Sequence, residues 1–118
     1  MWTFTNKSGD KGICLIPEVT AIIQDMWNSG LKKTKKKPYK IFYISRCYRY
    51  DRPQKGRYRE FTQFGVEVLG DTSPEVVEET KQQLITCLKD LSIDFEFVDN
   101  VIRGIGYYIE NGFEAESL

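Results

Sequence analysis

The run Arg49-Tyr50-Asp51-Arg52-Pro53-Gln54-Lys55-Gly56-Arg57-Tyr58-Arg59-Glu60-Phe61-Thr62-Gln63-Phe64-Gly65-Val66-Glu67 carries two patterns at once. Polar residues with Pro53 and Gly56 separate two stretches dense in Ile, Phe, Tyr and Val, Tyr39 to Tyr50 before them and Phe61 to Leu69 after. Such stretches form strands, so the run predicts a long antiparallel hairpin with an arginine-rich tip. The arginines alternate with Tyr, Pro and Gly inside that hairpin. Guanidinium forks match phosphate oxygens in pairs, so the tip suits a polyphosphate or a nucleic-acid backbone better than a merely solvated face. Phe61 adds a flat face on which a planar ring can stack.

Upstream, Met1 to Thr5 and Lys11 to Ile16 flank the turn residues Asn6-Lys7-Ser8-Gly9-Asp10, which predicts a first hairpin. Pro17 starts a helix whose apolar positions Ala21, Ile22, Ile23, Met26 and Trp27 recur at helical spacing, with Gly30 placed as its C-terminal cap. Lys32-Lys33-Thr34-Lys35-Lys36-Lys37 reads as a linker. Downstream, Asp71 to Ser92 predicts a helix with Ser73 at the N-cap, Pro74 at the first turn and a stripe of Val77, Thr80, Leu84, Leu88 and Leu91. Asp94 to Val98 alternates as a strand, and Val101 to Phe113 adds one or two more around Gly104, Gly106 and Gly112. The order hairpin, helix, hairpin, helix, strand predicts an α+β fold, an antiparallel sheet with flanking helices, as one domain over residues 1–118.

Composition narrows the chemistry. An apolar fraction of 41% with 14% aromatic residues predicts a packed core. No apolar stretch is long enough to span a bilayer, and no leader pattern opens the chain, so the expected place is the cytoplasm and no membrane partner is expected. Cys14, Cys47 and Cys87 are widely spaced and there is no histidine. No zinc shell and no protein-bound metal is therefore expected, and the cysteines read as small buried residues. Imidazole catalysis is excluded as well. Net charge is zero, yet twelve of the seventeen Lys and Arg residues lie between Lys32 and Arg59, opposed only by Asp51.

The run from Arg49 to Glu67 resembles motif 2 of class II aminoacyl-tRNA synthetases, in the form typical of histidyl-tRNA synthetases. Two flanking segments support it: Leu15-Ile16-Pro17-Glu18-Val19-Thr20-Ala21 resembles the family's L-R-P-E-G-T-A, and Val101-Ile102-Arg103-Gly104-Ile105-Gly106-Tyr107-Tyr108 resembles L-V-R-G-L-D-Y-Y. The resemblance implies an ATP site with Arg49 on the α-phosphate, Arg57 on the γ-phosphate, Phe61 under the adenine and Asp51 orienting the nucleotide. It implies amino-acid contacts from Glu18, Thr20, Gln63, Glu67, Tyr107 and Tyr108, with Glu67 countering the ammonium group. Arg49 and Arg103 would be the catalytic pair, Arg103 neutralising the reacting carboxylate and α-phosphate. ATP with Mg²⁺ would be the substrate, histidine and tRNA the further partners.

The chain departs from the family in stated ways. Segments corresponding to motif 1, motif 3, the inserted domain and the anticodon-binding domain are lacking, so dimerisation would need another surface and full aminoacylation is not expected of this stretch alone. Gly106 stands where the family has Asp, Ile16 where it has Arg and Val19 where it has Gly. Three readings stay open: a synthetase-like unit that binds ATP and histidine with adenylate chemistry at most, a non-catalytic paralogue that regulates or associates with a full-length synthetase, and an RNA-binding fragment.

Overall fold

The computed structural model of the chain describes residues 1–9, 12–102 and 112–118, and it divides into two compact units, Met1–Asp71 and Thr72–Leu118. In the first, β1 (Thr3–Thr5) pairs antiparallel with β2 (Gly12–Cys14), Phe4 opposite Ile13. After β2 the backbone is tied on both sides. Leu15 N–H donates to Trp2 O at 3.0 Å, and Tyr48 N–H donates to Ile16 O at 2.8 Å.

Helix α1 (Thr20–Met26) runs on through a π-helical turn, Trp27–Leu31, into α2 (Lys32–Thr34). The wide turn is marked by Lys32 N–H returning to Trp27 O, five residues back. Gly30 is thus inside the helical stretch rather than its cap, and the first half of the expected lysine linker is helical. The reason is burial: Ile23, Trp27 and Leu31 follow one another at four-residue spacing, and the first two join Leu69 in the core, with Leu31 packed against them. Burying those side chains outweighs the roughly 1 kcal/mol that a glycine costs inside a helix.

Strands β3 (Tyr39–Tyr48) and β4 (Glu60–Leu69) form a ten-pair antiparallel ladder, with Tyr39 opposite Leu69 and Tyr48 opposite Glu60. Alternation divides its faces. Tyr39, Ile41, Tyr43, Ser45 and Cys47 share the inner face with Phe61, Gln63, Gly65, Glu67 and Leu69, and the inner face carries the core. The outer face holds Phe42 at 72% exposure, Ile44 at 70% and Phe64 at 59%.

The second unit comprises α3 (Pro74–Asp90), with Ser73 at the N-cap and Pro74 in the first turn, and a ladder of β5 (Phe95–Val101) with β6 (Gly112–Ser117). Half-buried positions on α3 are Val76, Thr80, Lys81, Leu84, Ile85 and Leu88, while Val77 and Leu91 face solvent, so the apolar stripe enters one residue earlier and ends sooner than its spacing predicts. Lys81 crosses to the ladder, its Nζ 2.7 Å from Asp99 Oδ1 and 4.5 Å from the Phe97 ring centroid.

Helices with antiparallel strands make the fold α+β. The described strands pair in three separate two-stranded ladders. Cysteine burial differs from expectation: Cys47 is fully buried, but Cys14 and Cys87 are exposed. Cys14 sits in a three-residue ladder exposed on both faces, and Cys87 lies off the α3 stripe, so neither has a core to enter.

Candidate functional site

The hairpin between Tyr48 and Glu60 is fastened at three levels. Arg49 N–H donates to Arg59 O at 2.8 Å, Arg59 stacks over Tyr50 with its guanidinium carbon 4.4 Å from the ring centroid, and Arg57 N–H closes a tight turn onto Gln54 O at 2.9 Å. Gly56 makes that turn with φ +77, a conformation that a side chain disfavours. Asp51 contributes its backbone oxygen, 3.3 Å from Arg59 Nε.

Arg49 is held by two contacts. Its Nε–H donates to Pro17 O at 2.9 Å, and its guanidinium carbon lies 5.0 Å from the Phe61 ring centroid. This is a cation–π placement. The structure therefore joins Arg49, Phe61 and the segment before α1. Arg57 is exposed in its turn, and among the described residues no hydrogen bond, ion pair or ring contact joins it to Arg49 or Phe61.

Further along the inner face, Thr20 Oγ1 donates to Glu67 Oε1 at 2.7 Å, linking the first turn of α1 to β4 across 47 positions of sequence. Glu18 accepts from Ala21 N–H at 3.1 Å, placing a carboxylate at the start of α1 where the helix dipole favours negative charge. Burial pushes the Glu67 carboxyl above the ordinary carboxylate range; the Thr20 hydrogen bond opposes that shift and the neighbouring Glu18 charge adds to it. Two carboxylates thus converge on one spot beside α1. Gln63 Oε1 accepts from the buried Cys47 Sγ at 3.4 Å, which orients its amide on the same face.

Tyr43 is the member that the sequence reading missed. Burial, with smaller effects from Glu67, Cys47 and Glu18, pushes its phenol up, while the neighbouring Thr20 hydroxyl works against the shift. A signal existed in Gly65. A glycine inside an otherwise aromatic and β-branched strand marks a close approach, and Tyr43 is its cross-strand partner. Arg103, Tyr107 and Tyr108 lie outside the described residues, as does Gly106. Among the described residues no group of three or more Cys, Asp or Glu side chains is placed to hold a metal ion.

The family model of the class II tRNA synthetase core domain (G, H, P, S and T) matches residues 2–116. The chain belongs to the class II tRNA synthetase core family. Within this family the chain is similar to histidine–tRNA ligases: 40% identical over 88 residues to that of Methanococcus maripaludis, 41% over 95 residues to that of Archaeoglobus fulgidus and 49% over 73 residues to that of Metallosphaera sedula. These matches cover 75%, 80% and 62% of this chain but 21%, 23% and 16% of the relatives. The chain thus spans about a fifth of the length of the curated relatives it matches. It is a histidyl-tRNA synthetase-like stretch of the class II core, and no described helix is long and apolar enough to cross a membrane.

Proposed function

We propose that this class II core stretch binds ATP and histidine and contributes to histidyl-adenylate formation. The observation that carries the reading is the convergence of Thr20 and Glu67, with Glu18 beside them, on the same inner face that presents Arg49 on Phe61. Partly buried carboxylates favour a cationic guest, and the α-ammonium of an amino acid supplies one. Because Arg49 Nε is engaged by Pro17, its two terminal amino groups are the donors left for the α-phosphate of an incoming ATP.

In the reaction the ionised carboxylate of histidine attacks the α-phosphorus of ATP. A carboxylate-oxygen to phosphorus bond forms, the bond from the α-phosphorus to the bridging oxygen breaks, and pyrophosphate leaves as its magnesium complex. No general base is needed because the nucleophile is already an anion. The protein's share is positioning and stabilisation of charge by arginine, Arg49 here with Arg103 as the second in the family's arrangement. Arg57 is assigned to the γ-phosphate, Asp51 to nucleotide orientation, and Gln63, Tyr107 and Tyr108 to the amino acid. In this reading tRNA is the acceptor of the activated histidine, the assembly is a homodimer or an association with a full-length synthetase, and the setting is the cytoplasm.

Isothermal titration with ATP-Mg²⁺ and with histidine tests the reading, together with histidine-dependent ATP–pyrophosphate exchange. Binding of both ligands, with exchange above the protein-free rate, is expected. Failure to bind either at millimolar concentration would refute it. The apolar outer face of β3 and β4, with Phe42, Ile44 and Phe64 exposed, favours a second reading in which the stretch serves as an interaction module. A chain that captures a full-length synthetase but exchanges no pyrophosphate would select that reading.

A further inference from the structure

The inner face of the central ladder places Gln63, Gly65 and Glu67 in a row, two residues apart, so that the two ligand-gripping side chains flank a glycine. That gap is filled from the opposite strand. Tyr43 pairs with Gly65, and a methyl group added at Gly65 would fall inside the Tyr43 ring, against Cζ, Oη and Cε1. The phenol end of the ring therefore lies over the glycine, on the face that Gln63 and Glu67 share. The ring packs against the core of Ile23, Trp27 and Leu69, and its phenol neighbours Thr20, which itself donates to Glu67.

We propose that Tyr43 is a specificity-determining residue of this amino-acid pocket, its ring over Gly65 forming a rigid aromatic floor that limits side-chain size and favours a small, flat or cationic ring such as imidazole. The inference rests on the reading of this face as an amino-acid site. Three physical points lead to it. A ring anchored by core packing cannot yield to a larger guest without disturbing Trp27 and Leu69, so it acts as a stop rather than as a flexible wall. Its π face attracts cations and stacks with planar rings, which favours imidazole over an aliphatic chain of equal volume. Its phenol lies beside Thr20, whose hydroxyl holds the Glu67 carboxylate, so the floor and the ammonium-binding corner adjoin.

Titration of the full chain with histidine and with tryptophan, on folded variants checked by circular dichroism, tests this. Tyr43→Ala is expected to reduce the preference for histidine over tryptophan by about tenfold, since the stop is removed. Gly65→Ala should weaken histidine binding by about tenfold, because the ring has no alternative place against the core. In the Tyr43→Ala background the same glycine change should cost less than about twofold, since the three nearest obstructing atoms all belong to Tyr43. Tyr43→Phe keeps the floor and loses only the hydroxyl, so it should preserve the preference and hold affinity within about threefold of wild type; if Tyr43→Ala does not fold, this variant and Gly65→Ala decide the matter. An unchanged preference in Tyr43→Ala, a lost preference in Tyr43→Phe, or unchanged histidine binding in Gly65→Ala would each overturn the proposal. A wild-type chain that binds no histidine would instead overturn the pocket reading, and the floor with it.

Discussion

Glu67, partly buried on the inner face, works against folding in its ionised form. Its carboxyl is raised above the ordinary value chiefly by burial and further by Glu18, so the folded chain holds its proton more tightly than the unfolded chain does. Stability linked to this group is therefore fully present below the unfolded pKa and lost as pH rises through the folded value. Glu67→Gln should melt higher than wild type at pH 7, by a few degrees, and the gap should close as pH falls below the ordinary carboxylate range; thermal melts between pH 3.5 and 7.5 check this. Ligand binding runs the other way: the same variant should lose histidine affinity, and wild-type affinity should decline on acidification because a protonated Glu67 no longer counters an ammonium group. Arg49 offers a second test at this scale. Lysine in its place would keep a charge but lose the fork, the Pro17 bond and the placement on Phe61. Arg49→Ala should slow pyrophosphate exchange by about a hundredfold, within the range for removing one preorganised donor, and Arg49→Lys should recover only a small part of it.

At the scale of elements, legibility followed the strength of the periodic signal. The central hairpin was readable because its ten-residue strands alternate cleanly and the tip is dense in turn residues; the structure ends β3 at Tyr48 and begins β4 at Glu60. Thr20, Glu67, Arg49 and Phe61 could be singled out because segment motifs carry them, and the structure brings Thr20 to Glu67 and Arg49 onto Phe61. Tyr43 was not, since nothing local distinguishes it from Tyr39 or Tyr48; its role comes from the glycine opposite. Gly30 misled for the opposite reason. Taken alone, glycine says cap, but Leu31 one residue on still belongs to the buried stripe, and tertiary packing overrode the local preference. This gives a prediction. A Cβ at Gly30 meets nothing within 4 Å, so Gly30→Ala should stabilise the first unit by about 0.5–1 kcal/mol in a urea titration. Trp27→Ala, by contrast, empties the core and should cost about 3–5 kcal/mol.

Across the whole molecule the formal neutrality conceals a sharp division. Residues 1–71 hold fourteen Lys and Arg against seven Asp and Glu, a net of +7, while residues 72–118 hold three against ten, a net of −7. The cationic part contains the Arg49 loop and the lysine run, so in the proposed reading an incoming triphosphate would meet net positive charge even though the whole chain is neutral. Affinity for ATP should therefore weaken as salt is raised from about 50 to 500 mM, whereas histidine, zwitterionic in its backbone and proposed to bind at the partly buried Glu67, should respond much less. Parallel titrations over that range separate the two. Equal sensitivity would mean that the lysine run and arginine loop do not feed the nucleotide site.

The bond from Thr20 to Glu67 has a further consequence in time. The central hairpin closes across a short tip, and α1 forms among near neighbours, but the clasp between them waits for segments 47 residues apart to meet. The clasp between Thr20 and Glu67 is therefore expected to form after the parts that frame it and to open before them on gentle unfolding. In a urea series, histidine affinity should fade while the hairpin amides still resist hydrogen exchange, and saturating histidine should slow exchange most at the first turn of α1.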